Sequence, residues 1–91
     1  MSMDDVMRDM DALERQLEAF NHRLCEGMSE LKEHHAAVSP LWQDAMRREY
    51  DLKWVPLEEA MERYVEVIGP KYVDVLLVKL RHLRGYLYGA Y

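Results

Sequence analysis

The sequence has few cysteines, glycines and prolines, one, four and three respectively, and it has no long apolar run. The single cysteine, Cys25, excludes an intramolecular disulfide. So few turn residues argue against an all-β fold, which needs a turn between successive short strands. The longest apolar stretch, residues 75–78, is far too short to span a membrane. Acidic residues begin at Asp4 and interrupt any apolar core of a secretory signal, so we expect a soluble cytoplasmic protein.

Apolar and charged residues dominate the composition, at 49% and 32% of the chain. This balance is too apolar for a disordered protein and predicts a single folded domain over residues 1–91. A domain of this size buries only about 60–65% of the surface that its unfolded chain exposes, so its margin of stability is small. Apolar surface left over from such a core favours association with a second copy or with another protein.

Charge is distributed unevenly along the chain, whose net charge is −5. Residues 1–37 hold nine acids against four Lys or Arg, residues 38–70 hold seven against four, and residues 71–91 hold one against four. This gradient favours antiparallel contacts between unlike ends, although salt screens it. The acidic total argues against nucleic acid as the main ligand. The basic, aromatic tail "KLRHLRGYLYGAY" nevertheless keeps a nucleic-acid-binding regulator open as an alternative.

The first helix is predicted by a stripe of residues at spacings of three and four over five heptads. Such spacing is typical of the seam of a coiled coil or a long helical hairpin. Ser2 and Asp5 are predicted to form a capping pair at its start. We expect a helix over about residues 3–37, about 50 Å long, which needs an antiparallel partner. The stripe consists of Met3, Val6, Met10, Leu13, Leu17, Phe20, Leu24, Gly27, Leu31, His34 and Val38.

A turn at Ser39 and Pro40 is predicted to start a second helix over about residues 40–68, because serine caps helices and proline suits their first position. Pro56 lies inside this segment and predicts a kink. The apolar positions of the second helix, at steps of three or four, are Trp42, Met46, Tyr50, Trp54, Leu57, Met61, Tyr64 and Ile68.

Gly69 and Pro70 predict a boundary, since glycine ends helices and proline can begin one. A third helix is expected over about residues 71–88. One of its faces carries Leu76, Leu80 and Leu83. The sequence therefore predicts an all-α fold: a long antiparallel hairpin with a kinked second helix, a C-terminal helix, and association into a dimeric helical bundle.

Sequence patterns for catalysis or metal binding are weak. Glu26, Glu30 and His34 share one face of the first helix, but a bundle-type metal site needs a second Glu-x-x-His helix. The chain has no Gly-rich phosphate loop, no Cys-x-x-Cys and no His-Glu-x-x-His. We therefore expect no enzymatic activity, no cofactor, no bound metal and no small-molecule substrate.

Trp42, Tyr50 and Trp54 form a pattern around the predicted turn. With Ala45 as a small residue after the turn, it resembles the Trp-X-Gly family of small helical hairpins exported by type VII secretion systems. Those proteins place a Trp-x-Gly turn near the middle of the chain and an aromatic residue eight positions later. The resemblance covers about residues 3–68. It implies a helical hairpin that pairs with itself or with a related hairpin, and export by a route independent of a signal peptide.

The chain departs from this family at two points. Asp44 replaces the glycine of the Trp-x-Gly turn. The family's export signal, Tyr-x-x-x-Asp/Glu after the second helix, is missing, because Tyr64 is followed at that spacing by Ile68 and Tyr72 by Leu76. The resemblance is therefore close for the hairpin and poor for secretion.

The leading hypothesis is a non-enzymatic protein–protein interaction module that acts as a homodimer or heterodimer. The first alternative is an adaptor, chaperone or substrate of a specialised secretion system. Aromatic and leucine side chains dominate such interfaces and cores. The residues expected to form the interface or its structural support are Trp42, Asp44, Tyr50, Trp54, Leu57, Phe20, Leu24, Leu76, Leu80 and Leu83.

Overall fold

The structure, a computed structural model, describes residues 2–89 and contains helices but no β-strand within that range. The prediction of an all-α hairpin with an additional C-terminal helix is confirmed. The elements, in chain order, are α1 (Met3–Val38), α2 (Met46–Arg63), a π-helical turn (Tyr64–Ile68) and α3 (Gly69–Tyr88).

The N-terminus of α1 has the predicted cap. The Ser2 hydroxyl accepts from the Asp5 N–H, while the Asp5 carboxylate accepts from the Ser2 N–H. Two of the first orphan amides are thereby satisfied, and acidic side chains lie at the positive end of the helix. At the other end, the Ser39 N–H donates to the His35 carbonyl. The predicted range of 3–37 is thus confirmed to within one residue.

The predicted start of the second helix at residue 40 is wrong, because α2 begins at Met46. Ser39 caps the end of α1 instead of beginning α2. The Arg47 guanidinium binds the Ser39 carbonyl, the Ser39 hydroxyl and the Trp42 carbonyl, which holds the intervening chain in a turn. The helix starts where the Met46 N–H donates to Asp44 Oδ1 at 2.9 Å.

An element boundary falls at Gly69, as predicted, and the predicted third helix corresponds to α3, which ends at Tyr88. No unwound residue, however, separates the π-helical turn from α3. Proline in a helix lacks an N–H, and its ring clashes with the carbonyl four residues earlier. A wider turn relieves this clash, and here the Gly69 N–H donates to the Tyr64 carbonyl, five residues back. Pro56 lies inside α2 without ending it. α2, the π-helical turn and α3 therefore form one continuous second arm.

The two arms run antiparallel. Arg84 approaches Asp11 at 3.5 Å near the chain termini, and Lys32 donates to Glu62 at 2.8 Å nearer the turn. For α1 and α3, the residue numbers of facing positions add up to about 90–95, from Asn21 with Gly69 to Asp11 with Arg84. Gly69 marks a close approach of the arms, because a Cβ at this position would lie 3.0 Å from Asn21 Nδ2.

The hydrophobic core is small. Among residues 2–89, the buried apolar side chains are Trp54, Leu80 and Leu83. The molecule measures 64 × 23 × 16 Å and has a radius of gyration of 19.8 Å. A compact domain of this length has a radius of about 12 Å. The hairpin is therefore an extended two-layer structure in which most apolar side chains keep contact with solvent.

The stripe of α1 that faces the second arm only partly matches the predicted seam. Leu17 and Leu24 are half-buried as expected, and the stripe also contains Glu14 and Asn21. The predicted seam residues Leu13, Phe20, Leu31 and Val38 are exposed instead. α1 thus has two adjacent apolar stripes, and the hairpin covers one of them.

Glu14 is a buried carboxylic acid in this small core. Its residue is 5% exposed, and its Oε1 atom finds no hydrogen-bond partner among residues 2–89. Burial raises the pKa of the Glu14 carboxyl above its ordinary value of 4.5, and the neighbouring Glu18 raises it further. The folded state therefore holds the Glu14 proton more tightly than the unfolded chain does.

We predict that Glu14→Gln stabilises the protein at neutral pH. Because the folded-state pKa is raised, the parent protein loses stability as pH rises from 4.5 through that pKa, and the loss is complete above it. The glutamine variant lacks this loss, so its melting temperature should exceed that of the parent at pH 7 and approach it near pH 4. Thermal unfolding followed by circular dichroism measures the difference. Glu30→Gln, at an exposed position of the same helix, should leave the pH profile unchanged.

Candidate interaction site

Aromatic side chains stack between the arms near the turn. The His35 ring lies parallel to the Trp54 indole, with 4.1 Å between ring centroids and an interplanar angle of 6°. Tyr50 stacks on both of these residues, at 5.5 Å from His35 and 6.0 Å from Trp54. Trp42 lies 5.0 Å from Tyr50 at a tilted angle. The four rings fill the space between the end of α1 and the start of α2.

Hydrogen bonds fix the orientation of these rings. The Tyr50 hydroxyl lies 2.9 Å from His35 Nδ1, and Trp54 Nε1 donates to the Glu58 carboxylate at 2.8 Å. Trp42 Nε1 donates to Asp44 Oδ1 at 2.7 Å. The polar atoms of half-buried aromatic side chains usually find such partners, which position the rings for packing.

A cavity of about 250 Å³ opens beside this cluster. An apolar cavity of about 150 Å³ is large enough to hold benzene, so there is room here for one aromatic ring. The Arg47 guanidinium lines the cavity but already donates to three oxygens of Ser39 and Trp42 and to Asp51. An apolar or aromatic group therefore suits the cavity better than an anion. We call it the turn pocket; its lining residues are Leu31, His34, His35, Val38, Ser39, Trp42, Arg47 and Tyr50.

Asp44 supports both the turn and the start of α2. Its Oδ1 atom accepts from Trp42 Nε1 and from the Met46 N–H. We predict that Asp44→Ala lowers the free energy of unfolding by about 1 kcal/mol, as loss of a helix-capping side chain commonly does. Asp44→Asn keeps an acceptor oxygen and should retain most of that stability. Urea unfolding of both variants, with Gln43→Ala as the neighbouring control, measures the effect; equal losses in Asp44→Ala and Gln43→Ala would contradict this role.

The exposed stripe of α1 borders the second arm on one side of the hairpin. At about 100° per residue, Leu13, Phe20, Leu31 and Val38 fall within about 20° of one another around the helix. The Phe20 ring meets the Tyr64 ring edge to face across the groove between the arms, at 6.4 Å. The stripe therefore continues onto the second arm at this point.

The second arm adds apolar side chains to the same side. The inward side of α3 is marked by Leu80 and Leu83. Around the helix axis, Tyr72, Val75 and Tyr86 lie about 50–110° from that side, in the direction opposite to Arg84. Arg84 pairs with Asp11, which lies on the side of α1 opposite to Phe20. We define the apolar face as the exposed residues Leu13, Phe20, Leu31, Val38, Leu57, Tyr72, Val75 and Tyr86.

The opposite side of the hairpin is more polar. The two ion pairs that join the arms within residues 2–89, Asp11 with Arg84 and Lys32 with Glu62, lie there. The Glu62 carboxylate raises the pKa of the Lys32 ammonium. Exposed apolar residues of the second arm also occur away from the apolar face, among them Leu52. By helical geometry, the apolar face combines exposed leucine, valine and aromatic side chains from both arms.

The residues expected from the sequence fall into two groups. Trp54, Leu80 and Leu83 are buried, while Trp42, Tyr50, Leu24 and Leu76 are half-buried between the arms. Asp44, Leu57 and Phe20 are exposed. The structure thus divides the set between the interior of the hairpin and its surface.

Sequence reasoning missed His35 and Arg47, which flank the turn at the end of α1 and at the start of α2. Neither residue belongs to the apolar pattern that defined the helices. His35 lies one residue beyond the predicted seam position His34, and a shift of that stripe by one position would have found it. Arg47 acts through carbonyl groups of the turn, which side-chain spacing does not reveal.

The considered metal ligands do not converge. Glu26 is paired with His22 at 2.9 Å, and Glu30 and His34 are exposed. Within residues 2–89, no group of three His, Cys, Asp or Glu side chains is placed to hold a metal ion. No helix in this part of the chain combines the length and the apolar content needed to cross a bilayer. Comparison of the chain with protein-family models, curated proteins and solved structures found no match.

Proposed function

We propose that this protein is a non-enzymatic interaction module whose apolar face packs against a second helical hairpin, either another copy or a related chain. The observation that carries the proposal is the apolar face itself, to which both arms contribute exposed aliphatic and aromatic side chains. Contiguous exposed patches of this kind mark interaction sites in soluble proteins.

The surface area of the chain supports this proposal. A globular protein of this mass exposes about 5,600 Å², whereas this chain exposes 7142 Å². The excess of about 1,500 Å² exceeds the roughly 800 Å² that each partner contributes to a standard interface. With a core of three buried apolar side chains in residues 2–89, the isolated hairpin gains little from hydrophobic burial. Packing two hairpins into a four-helix bundle would supply the missing burial.

Sedimentation equilibrium at micromolar concentration tests the proposal. We expect a mass of twice the 10.9 kDa of the chain, with dissociation on dilution accompanied by loss of helix. A chain that remains at its single mass, well folded and cooperatively unfolding, would contradict the proposal. A poorly folded single chain that gains helix when a related hairpin is added would support the heterodimeric form.

A second candidate is an adaptor, chaperone or substrate of a type VII-like secretion system. It is favoured by the arrangement of the turn, where Trp42 packs on Tyr50 between two antiparallel helices, as the resemblance to the Trp-X-Gly family implies. This candidate predicts co-purification with a larger protein that carries a similar hairpin. Recovery of the chain free of such a partner at every expression level would count against it.

A further inference from the structure

We infer that the turn pocket is the binding site for the Tyr86 ring of a second copy, in an antiparallel dimer whose two-fold axis passes near Phe20. This inference rests on the proposed function and specifies its partner and orientation. It depends on the size of the pocket, the exposure of Tyr86 and the positions of both along the hairpin.

The pocket and Tyr86 have complementary properties. The turn pocket is lined mainly by apolar and aromatic groups and has room for one aromatic ring. Tyr86 is 74% exposed, although a tyrosine ring is a large apolar group that usually dominates the contacts it makes. Both belong to the same side of the hairpin, because Leu31 and Val38 of the apolar face also line the pocket.

Their positions along the hairpin also match. Since the residue numbers of facing positions on α1 and α3 add up to about 90–95, Tyr86 lies level with about residues 4–9 of α1. α1 runs from residue 3 to residue 38, so its midpoint lies between Phe20 and Asn21. A two-fold axis through that midpoint carries the levels of residues 4–9 to the levels of about residues 32–37. The Tyr86 ring of the second copy thus arrives within the range 31–38 of the turn pocket.

Full overlap of the two hairpins is therefore the arrangement that fills the pocket. The symmetry makes the interface self-complementary, so two rings occupy two pockets and Phe20 meets its counterpart near the axis. Every residue of the apolar face then faces the other copy. A parallel arrangement would leave both pockets empty and both Tyr86 rings at the opposite end.

Charge also favours the antiparallel orientation. The turn end, residues 26–51, holds six acids against three Lys or Arg. At the other end, residues 2–15 hold five acids against two and residues 71–89 hold one against four, so their charges cancel. Parallel packing would bring two acidic turn ends together, whereas antiparallel packing places each acidic end beside a neutral one.

Cross-linking tests the orientation. In a Cys25→Ser background, which removes the native exposed thiol, cysteines replace the exposed residues His34 and His82, singly and together. Within one chain these positions are about 30 Å apart at 1.5 Å per residue, so a short bismaleimide cannot join them. We expect covalent dimers from the His34→Cys/His82→Cys double variant and none from either single variant. Cross-linking of the single variants would indicate parallel packing and overturn the inference.

A second measurement tests the ring itself. Tyr86→Ala should raise the dissociation constant of the dimer at least about 30-fold, as loss of an anchor side chain commonly does, whereas Tyr86→Phe should leave it nearly unchanged. Tyr88→Ala is the matched control, because Tyr88 is 64% exposed and lies beside Asp4, Met7 and Arg84 on the other side of the hairpin. Equal effects of Tyr86→Ala and Tyr88→Ala would overturn the assignment of the pocket.

The failures of the two proposals are distinguishable. A dimer by sedimentation that shows no cross-link in the double variant overturns the placement of Tyr86 and leaves the interaction module standing. A stable, folded single chain overturns both. Both proposals are supported if the dimer is cross-linked through residues 34 and 82, and if Tyr86→Ala weakens it while Tyr88→Ala does not.

Discussion

Val75→Lys is expected to weaken the dimer. Val75 is 67% exposed in the single chain, so lysine introduces no clash within one hairpin. On the apolar face it would place an unpaired ammonium group against the second copy, and the two-fold symmetry introduces that group twice. Long lysine side chains can partly escape to solvent. We therefore expect the dissociation constant to rise at least about tenfold, which corresponds to about 1.4 kcal/mol.

Leu52→Lys provides the matched control for this change. Leu52 is 70% exposed and lies on the second arm away from the apolar face. The two substitutions add the same charge at similar exposure, so a general effect of charge would weaken the dimer equally in both. Sedimentation over a series of concentrations compares them. If Leu52→Lys weakens association as much as Val75→Lys does, the apolar face is not the interface.

Trp54→Ala is expected to cause the largest loss of stability of any single change discussed, about 3–5 kcal/mol. Trp54 is 7% exposed, stacks on His35 and donates to Glu58. Few other apolar side chains are buried in residues 2–89, so the structure cannot collapse around the resulting cavity without separating the arms. Domains of this size retain about 5–15 kcal/mol in total, and the melting temperature should fall by roughly 15 °C or more. Differential scanning calorimetry measures the change.

Two variants distinguish the stability contributed by the stacked Trp54 ring from the effect of removing an exposed apolar side chain. Trp54→Phe keeps an aromatic ring opposite His35 and should lose less than half as much stability as Trp54→Ala. Leu52→Ala, at an exposed position, should change the free energy of unfolding by no more than about 0.5 kcal/mol. A loss in Trp54→Ala no larger than that in Leu52→Ala would exclude Trp54 from the core.

Local sequence signals predicted much of the fold. The capping pair of Ser2 and Asp5 and the long apolar repeat sufficed for the bounds of α1, because both act within a few residues of the chain. Leu80 and Leu83 are buried as their helical spacing indicated. Trp54 is buried for the same reason, since large side chains at such spacing are placed together on one side of a helix.

Features that depend on the partner arm were not predictable in the same way. Two adjacent stripes of α1 both follow a spacing of three and four, and only the position of α3 decides that Leu17 is covered and Phe20 is exposed. Ser39 carries an N-cap signal for the following helix, but it lies at the end of α1, where its carbonyl and hydroxyl accept from the Arg47 guanidinium. Gly69 and Pro70 resemble a helix end in sequence, but packing against Asn21 keeps the arm continuous through a π-helical turn.

Covalent footprinting of side chains in solution tests the central claim most directly. In the parent protein at micromolar concentration, Phe20, Val75 and Tyr86 should be labelled less than in the diluted parent. Phe20 and Tyr86 should also be labelled less than in the Val75→Lys variant. Leu41 and Leu52, which are exposed away from the apolar face, should be labelled equally in all samples. Labelling of Phe20 and Tyr86 that stays at the level of Leu52 at every concentration would show that the apolar face is uncovered, and would contradict the account.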